Sequence, residues 1–211
     1  MTALLRGGDL GGVMLSEKPR LVLASASPRR LELLAQINIT PDAVIPADIN
    51  EDPHPAELPR VYAERMAREK LAAVADQADD AFCLAADTVV ACGRRILGKP
   101  EGADEARQFL KLLGGRRHRV LTSVAIKSPQ GQIVERISTS HVKLNRLDEA
   151  ALSAYIASGE WQGKAGGYGI QGLAAQHVAW LEGSYTGIVG LPLFEVSQVL
   201  RGMGWPFSPP Q

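Results

Sequence analysis

Residues 21–37 read LVLASASPRRLELLAQI, and the fold class turns on them. Leu21–Ala24 is a short apolar run of the kind that forms a buried strand. Ser27 is a good N-cap, and Pro28 suits the first helical position because its fixed φ is already helical. Leu31, Leu33 and Leu34 then supply the apolar face of a helix reaching Ile37. A strand that runs through small hydroxyl residues into a helix is the opening unit of an α/β layer.

The alternation continues along the chain. Residues 41–59 carry five prolines and several acids, which predicts loop or sheet-edge structure. Val61–Ala75 is strongly helix-forming, with Tyr62, Met66 and Ala67 on one side. Phe82–Ala91 is an apolar run interrupted only by Asp87 and Thr88. Ala103–Leu113 predicts a helix closed by Gly114 and Gly115. Arg119–Lys127 and Ile133–Leu144 flank Ser-Pro-Gln-Gly and predict an antiparallel hairpin. Asp148 caps a helix through Ala157, Val178–Leu181 is a strand, and Pro192–Arg201 is a closing helix. A hairpin inside an α/β alternation means a mixed sheet.

The composition removes several function classes. The chain has 211 residues, 23 basic and 23 acidic, and 45% apolar side chains. That length suits one domain with a real core. Zero net charge supplies no bulk attraction to nucleic acid or to an anionic membrane, so neither is expected as a partner. No apolar run approaches the roughly 18 residues needed to span a bilayer. Cys83 and Cys92 are too few for a disulfide framework. Met1–Arg20 holds four glycines, no sustained period and no signal-peptide h-region, so a cytoplasmic protein with a flexible leader over residues 1–19 is expected. Residues 20–205 then form the single domain, and 206–211 a short tail.

Three segments carry chemistry. In Ser25-Ala-Ser-Pro-Arg-Arg30 a helix N-terminus, two hydroxyls and two guanidiniums together make an anion site suited to phosphates. A simple capped helix with solvated arginines is the alternative. Against it, Arg29 and Arg30 in a first turn oppose the helix dipole, so something anionic should offset them. Asp87 is a carboxylate in an apolar strand, costly unless it is paired or binds metal, and at a strand's C-terminal end it would face the usual ligand crevice. Lys99 lies between Gly98 and Pro100, which fix its backbone. Lys164–Gly172 has four glycines in nine residues and so admits close backbone approach to a ligand. There Tyr168 can stack and Gln171 can both donate and accept at a base edge. Glu51 lies in the acidic, proline-rich loop; Lys70, by itself, reads as a solvated helix charge. No GxxxxGK[ST] loop, no GxGxxG after a strand and no GxSxG elbow occurs. The four histidines show no paired metal-ligand spacing.

Six motifs in order, SASPRR (25–30), REK (68–70), AADTVV (85–90), LGKP (97–100), KAGGYGIQG (164–172) and GSYTGIVGLPLFE (183–195), resemble the Maf family of nucleotide pyrophosphatases. The resemblance spans about Arg20 to Gly204. It implies an elongated, curved mixed sheet flanked by helices, with two lobes around a cleft, similar to inosine triphosphate pyrophosphatases. It implies hydrolysis of a nucleoside triphosphate to the monophosphate and pyrophosphate with Mg²⁺ or Mn²⁺. Asp87 falls at the family's catalytic base. Arg30, Lys99 and Gln171 fall at positions tied to substrate binding and choice, and Glu51 and Lys70 at the other functional acid and lysine. Asn50 stands beside Glu51 where the family more usually has an acid. The ADT and KAGGYGIQG forms resemble the branch that cleaves dTTP and UTP. On this reading Ser25, Ser27, Arg29, Arg30, Lys70, Lys99 and Gln171 bind substrate, and Glu51 and Asp87 hold the metal. A homodimer is left open. The alternatives are a pyrophosphatase acting on 7-methyl-GTP and a non-catalytic nucleotide-binding regulator of cell division. Acids set among cations favour the enzyme.

Overall fold

The structure is a computed structural model and describes residues 19–207. The expected leader, apart from Pro19, and residues 208–211 lie outside the described residues. Of the expected tail, Phe207 is described and packs against the core.

Strand β1 (Arg20–Ala24) is buried at every position but the first. Helix α1 (Pro28–Ala35) follows, with Arg30, Leu33 and Leu34 on its buried side. Ser27 holds the N-cap position with an extended backbone, but its side chain makes no cap bond. Within the proline-rich segment Ala43–Val44 (β2) adds to the edge of β1 in parallel. Helix α2 (Pro59–Ala75) starts two residues earlier than the sequence pattern indicates, because Pro59 occupies a first-turn position.

Strand β3 (Ala81–Cys92) runs unbroken through Asp87 and Thr88. A short β4 (Arg95–Leu97) turns back on it, and helix α3 (Ala103–Leu113) follows. The expected hairpin is β5 (Arg117–Lys127) and β6 (Ile133–Leu144), in register along its whole length and turned at Ser128–Gly131. In helix α4 (Glu149–Ala157) the Asp148 carboxylate accepts from the Ala151 N–H, as expected of a cap. Strand β7 (Val178–Glu182), a short helix α5 (Tyr185–Val189) and α6 (Leu193–Gly202) complete the chain.

The strand order is β2-β1-β3-β5-β6-β7, with β4 also on β3. β1 and β2 run parallel to their neighbours, and β4 to β7 pair antiparallel, so the sheet is mixed as expected. One edge of β3 is shared. β1 pairs there with Ala81–Ala85, β4 pairs with Val90–Cys92, and β5 occupies the other edge from Cys83 to Ala91. The stretch Ala86–Val89 therefore faces a gap between the end of β1 and the start of β4.

Two large apolar clusters lie on either side of that gap. One joins β1, α1, the first half of β3 and α6. The other joins Val90, Leu97, α3, α4 and the glycine-rich segment. These are the two lobes, and long β5 and β6 hold them together. On the opposite face α2 covers β3 and β5. Among the described residues no helix is long and apolar enough to cross a membrane.

Candidate active site

A cleft of about 430 Å³ opens at the gap in the sheet. Its lining includes every residue expected from the sequence to act on substrate or metal: Ser25, Ser27, Arg29, Arg30, Glu51, Lys70, Asp87, Lys99 and Gln171. One expectation needs correction. Asp87 is not at a strand end but in the middle of β3. It reaches the cleft because the neighbouring strands leave that part of the edge uncovered.

The β1–α1 turn forms one wall. Arg30 is buried, and its Nε donates to the Gly190 carbonyl at 2.9 Å while Nη1 donates to Ser25 Oγ at 2.7 Å. Both acceptors are neutral. Burial lowers the Arg30 pKa from its usual value, Asp87 opposes that shift and Arg29 adds to it. A buried guanidinium at a helix start without a bonded carboxylate is the electrostatic preparation for an anion. Ser25 Oγ also accepts from the Ser27 N–H at 3.2 Å, so the turn is braced by Ser25 rather than by Ser27.

The second wall is a chain of alternating charges. Lys70 Nζ lies 2.5 Å from Asp87 Oδ1 and 2.7 Å from Glu51 Oε1. Lys99 Nζ lies 3.1 Å from Glu51 Oε2. Burial works against ionisation of Glu51, but the hydrogen bonds and charge of Lys70, with those of Lys99, outweigh it and hold the carboxyl below the usual range. Lys70 is buried in α2 and is not a solvated helix charge.

The Glu51 loop is fastened to α2 at two points that no sequence pattern singles out. Tyr62 Oη donates to the Glu51 carbonyl at 2.6 Å. Arg65 bonds the Glu57 carboxylate through Nε at 2.8 Å and Nη2 at 2.7 Å, and Nη2 also reaches the Asp52 carbonyl. The Arg65 bonds hold Glu57 at a pKa of about 2. Burial, together with the Asp87 and Glu51 charges, raises Tyr62 and keeps it a donor.

The glycine-rich segment is the third wall. Gly166 has φ +69°, and a Cβ there would lie 2.8 Å from Val90 Cγ1, so the backbone passes directly over β3. Tyr168 lines the cleft, but it is buried and its hydroxyl lies 2.7 Å from His118 Nε2. It anchors the segment to β5 and is not an open stacking platform. Burial lowers His118 to a pKa of about 4, so the pair is neutral near pH 7. Gln171 is exposed at the cleft mouth. Val90, Val120, Ile170, Ile188 and Val189 give this end apolar walls.

Residues 20–203 match the family described as Maf-like protein. The chain belongs to that family. Several relatives are more than half identical to it over the aligned stretch. A dTTP/UTP pyrophosphatase of Cereibacter sphaeroides is 56% identical over 88% of this chain and 96% of its own length. One of Gluconobacter oxydans is 56% identical over 91% of this chain and 90% of its own length. One of Hyphomonas neptunium is 58% identical over 88% of this chain and 96% of its own length. A solved nucleoside-triphosphatase, a dITP/XTP pyrophosphatase of Mycobacterium abscessus, overlays with a TM-score of 0.39 at 17% identity, over 61% of this Maf chain and 74% of that chain.

Proposed function

We propose that this protein hydrolyses dTTP and UTP to the monophosphate and pyrophosphate. The observation that carries the reading is Asp87, a buried carboxylate opening onto a cleft whose charges are otherwise mostly positive. Arg29, Arg30, Lys70, Lys99 and Lys164 line it against Glu51 and Asp87, five cations to two carboxylates, an excess of three. A triphosphate supplies the missing negative charge. The names of the Cereibacter, Gluconobacter and Hyphomonas relatives support the same activity.

On this reading the phosphates lie on the Ser25–Arg30 turn and the base lies toward Gln171. Asp87 bonds Lys70 through Oδ1, leaving Oδ2 to accept a proton from a water. As that water's oxygen bonds to the α-phosphorus, the bond to the bridging oxygen breaks and pyrophosphate leaves. Arg30, Lys70 and Lys99 stabilise the charge that develops on it. The proton on Asp87 returns to solvent. The glutamine amide can accept from N3–H and donate to O4, the edge that thymine and uracil share.

Glu51 and Asp87 fit a divalent cation in part. Both carboxylates reach the Lys70 ammonium, so one cation already spans them. Among the described residues no three His, Cys, Asp or Glu side chains come together, so phosphate oxygens would complete the set. Mg²⁺ is often held by one or two carboxylates plus phosphates. When bound, the ion would neutralise phosphate charge and polarise phosphorus.

Pyrophosphate release measured with dTTP, UTP, CTP, GTP and 7-methyl-GTP tests the reading. We expect kcat/KM for dTTP and UTP to exceed that for either purine by about tenfold or more, since a hydrogen-bonding site left unpaired discriminates strongly. A tenfold win for GTP or 7-methyl-GTP would overturn the substrate assignment. Arg30→Ala and Lys99→Ala should each cost ~1.5–3 kcal/mol of transition-state stabilisation, as for hydrogen bonds to charged groups. Unchanged kinetics in both would place the phosphates elsewhere.

A further inference from the structure

We propose that Glu160, which lies outside the cleft, is a positioning residue that sets base selectivity by clamping the backbone on both sides of Gln171. This rests on the reading of the cleft as a pyrimidine triphosphate site. The carboxylate sits behind the glycine-rich segment. Its Oε2 accepts from the Leu173 N–H at 2.7 Å, and Oε1 accepts from the Ala174 N–H at 3.4 Å and from Tyr155 Oη at 3.1 Å. Tyr155 Oη in turn accepts from the Gly169 N–H at 3.2 Å. The residues two before and two after Gln171 are thus tied to one carboxylate, the first through a buried phenol. The Lys164 ammonium donates to the Glu160 carbonyl and closes the other end of the segment. The packing leaves no slack, since a Cβ at Gly172 would overlap the Glu160 carboxylate.

Neither Glu160 nor Tyr155 lines the cleft, so neither touches substrate. What they control is where Gln171 stands. Gln171 is exposed, with no described hydrogen bond of its own to hold its side chain. Its position relative to a base therefore depends on the backbone that carries it. Burial and the nearby Glu160 raise the Tyr155 phenol, so it remains a donor toward the carboxylate at any working pH.

The test uses the full chain carrying Glu160→Gln and, separately, Tyr155→Phe. Glutamine keeps the volume but turns one acceptor into a donor that faces other donors. Phenylalanine keeps the buried ring and removes only the hydroxyl. We expect the KM for dTTP and UTP to rise about tenfold in Glu160→Gln, with kcat within about threefold of wild type. The ratio of kcat/KM for dTTP to that for GTP should fall by about the same tenfold, and Tyr155→Phe should shift both in the same direction by less. A merely structural role would lower kcat on every substrate in proportion and leave the ratio alone; that result, or unchanged KM and ratio in both variants, would overturn the proposal. The wild-type panel separates the two readings. If wild type does not prefer dTTP and UTP, the functional reading fails before either variant is made, whereas a selective wild type with equally selective variants sinks only the role of Glu160.

Discussion

Asp87→Asn should lower kcat by about 10²–10⁴, the usual contribution of a general base, and leave the fold intact. The swap preserves size and removes charge and basicity. Deleting one partner of a buried ion pair is normally severe, because the other charge is left without compensation. Here Lys70 also lies 2.7 Å from Glu51 Oε1, so its ammonium keeps a carboxylate when Asp87 loses its charge. The loss should therefore appear in turnover and not in cooperative unfolding. Steady-state kinetics on dTTP, with a melting curve on the same preparation, separate the two. More than about a tenth of wild-type kcat would count against Asp87 as the base.

The positions of Arg30 and Lys70 explain why part of this site was legible and part was not. The buried side of α1 is Arg30, Leu33 and Leu34, and that of α2 includes Met66, Ala67, Lys70, Leu71 and Val74. Each helix thus carries one charge on its apolar stripe, at the same three- and four-residue spacing as the hydrophobes. That spacing marks a charge held inside the protein, and in α2 it was there to be read. The long elements were legible for the same reason, since apolar periodicity persists over many residues. Three-residue β4 and five-residue α5 are too short to show a period. The gap along β3 was not legible at all. It depends on which strands share an edge, a non-local fact, and it moves Asp87 from an expected strand end to mid-strand. Tyr62, Tyr155 and Glu160 escaped for another reason: their bonds run to backbone atoms of distant or irregular segments, which leave no pattern in residue type.

Lys70→Met should be the most destabilising single change in the cleft. Methionine matches the length and apolar stem of lysine but supplies no cation. Lys70 and Asp87 side chains are only 9% and 12% exposed, so the carboxylate cannot recover its solvation where it stands. Breaking a buried pair costs about 3–5 kcal/mol, or roughly 6–20 °C in Tm for a chain of this size. The pH dependence fixes the cause. In wild type the Glu51 pKa is lowered, so its contribution to stability is complete above the ordinary carboxylate range and is lost as pH falls through the lowered value. In the variant the hydrogen bond and charge of Lys70 are gone, so Glu51 loses the two largest causes of that lowering. The Tm gap between wild type and Lys70→Met should therefore be widest near pH 7 and narrow as the pH falls below the ordinary carboxylate range of about 4. A gap that stays constant or widens on acidification would mean that Lys70 stabilises the fold through its packed stem and not through the carboxylates. Turnover should fall as well, because in the proposed mechanism Lys70 offsets phosphate charge and holds Asp87 through Oδ1, and acidification should not restore it, since a general base acts only when deprotonated.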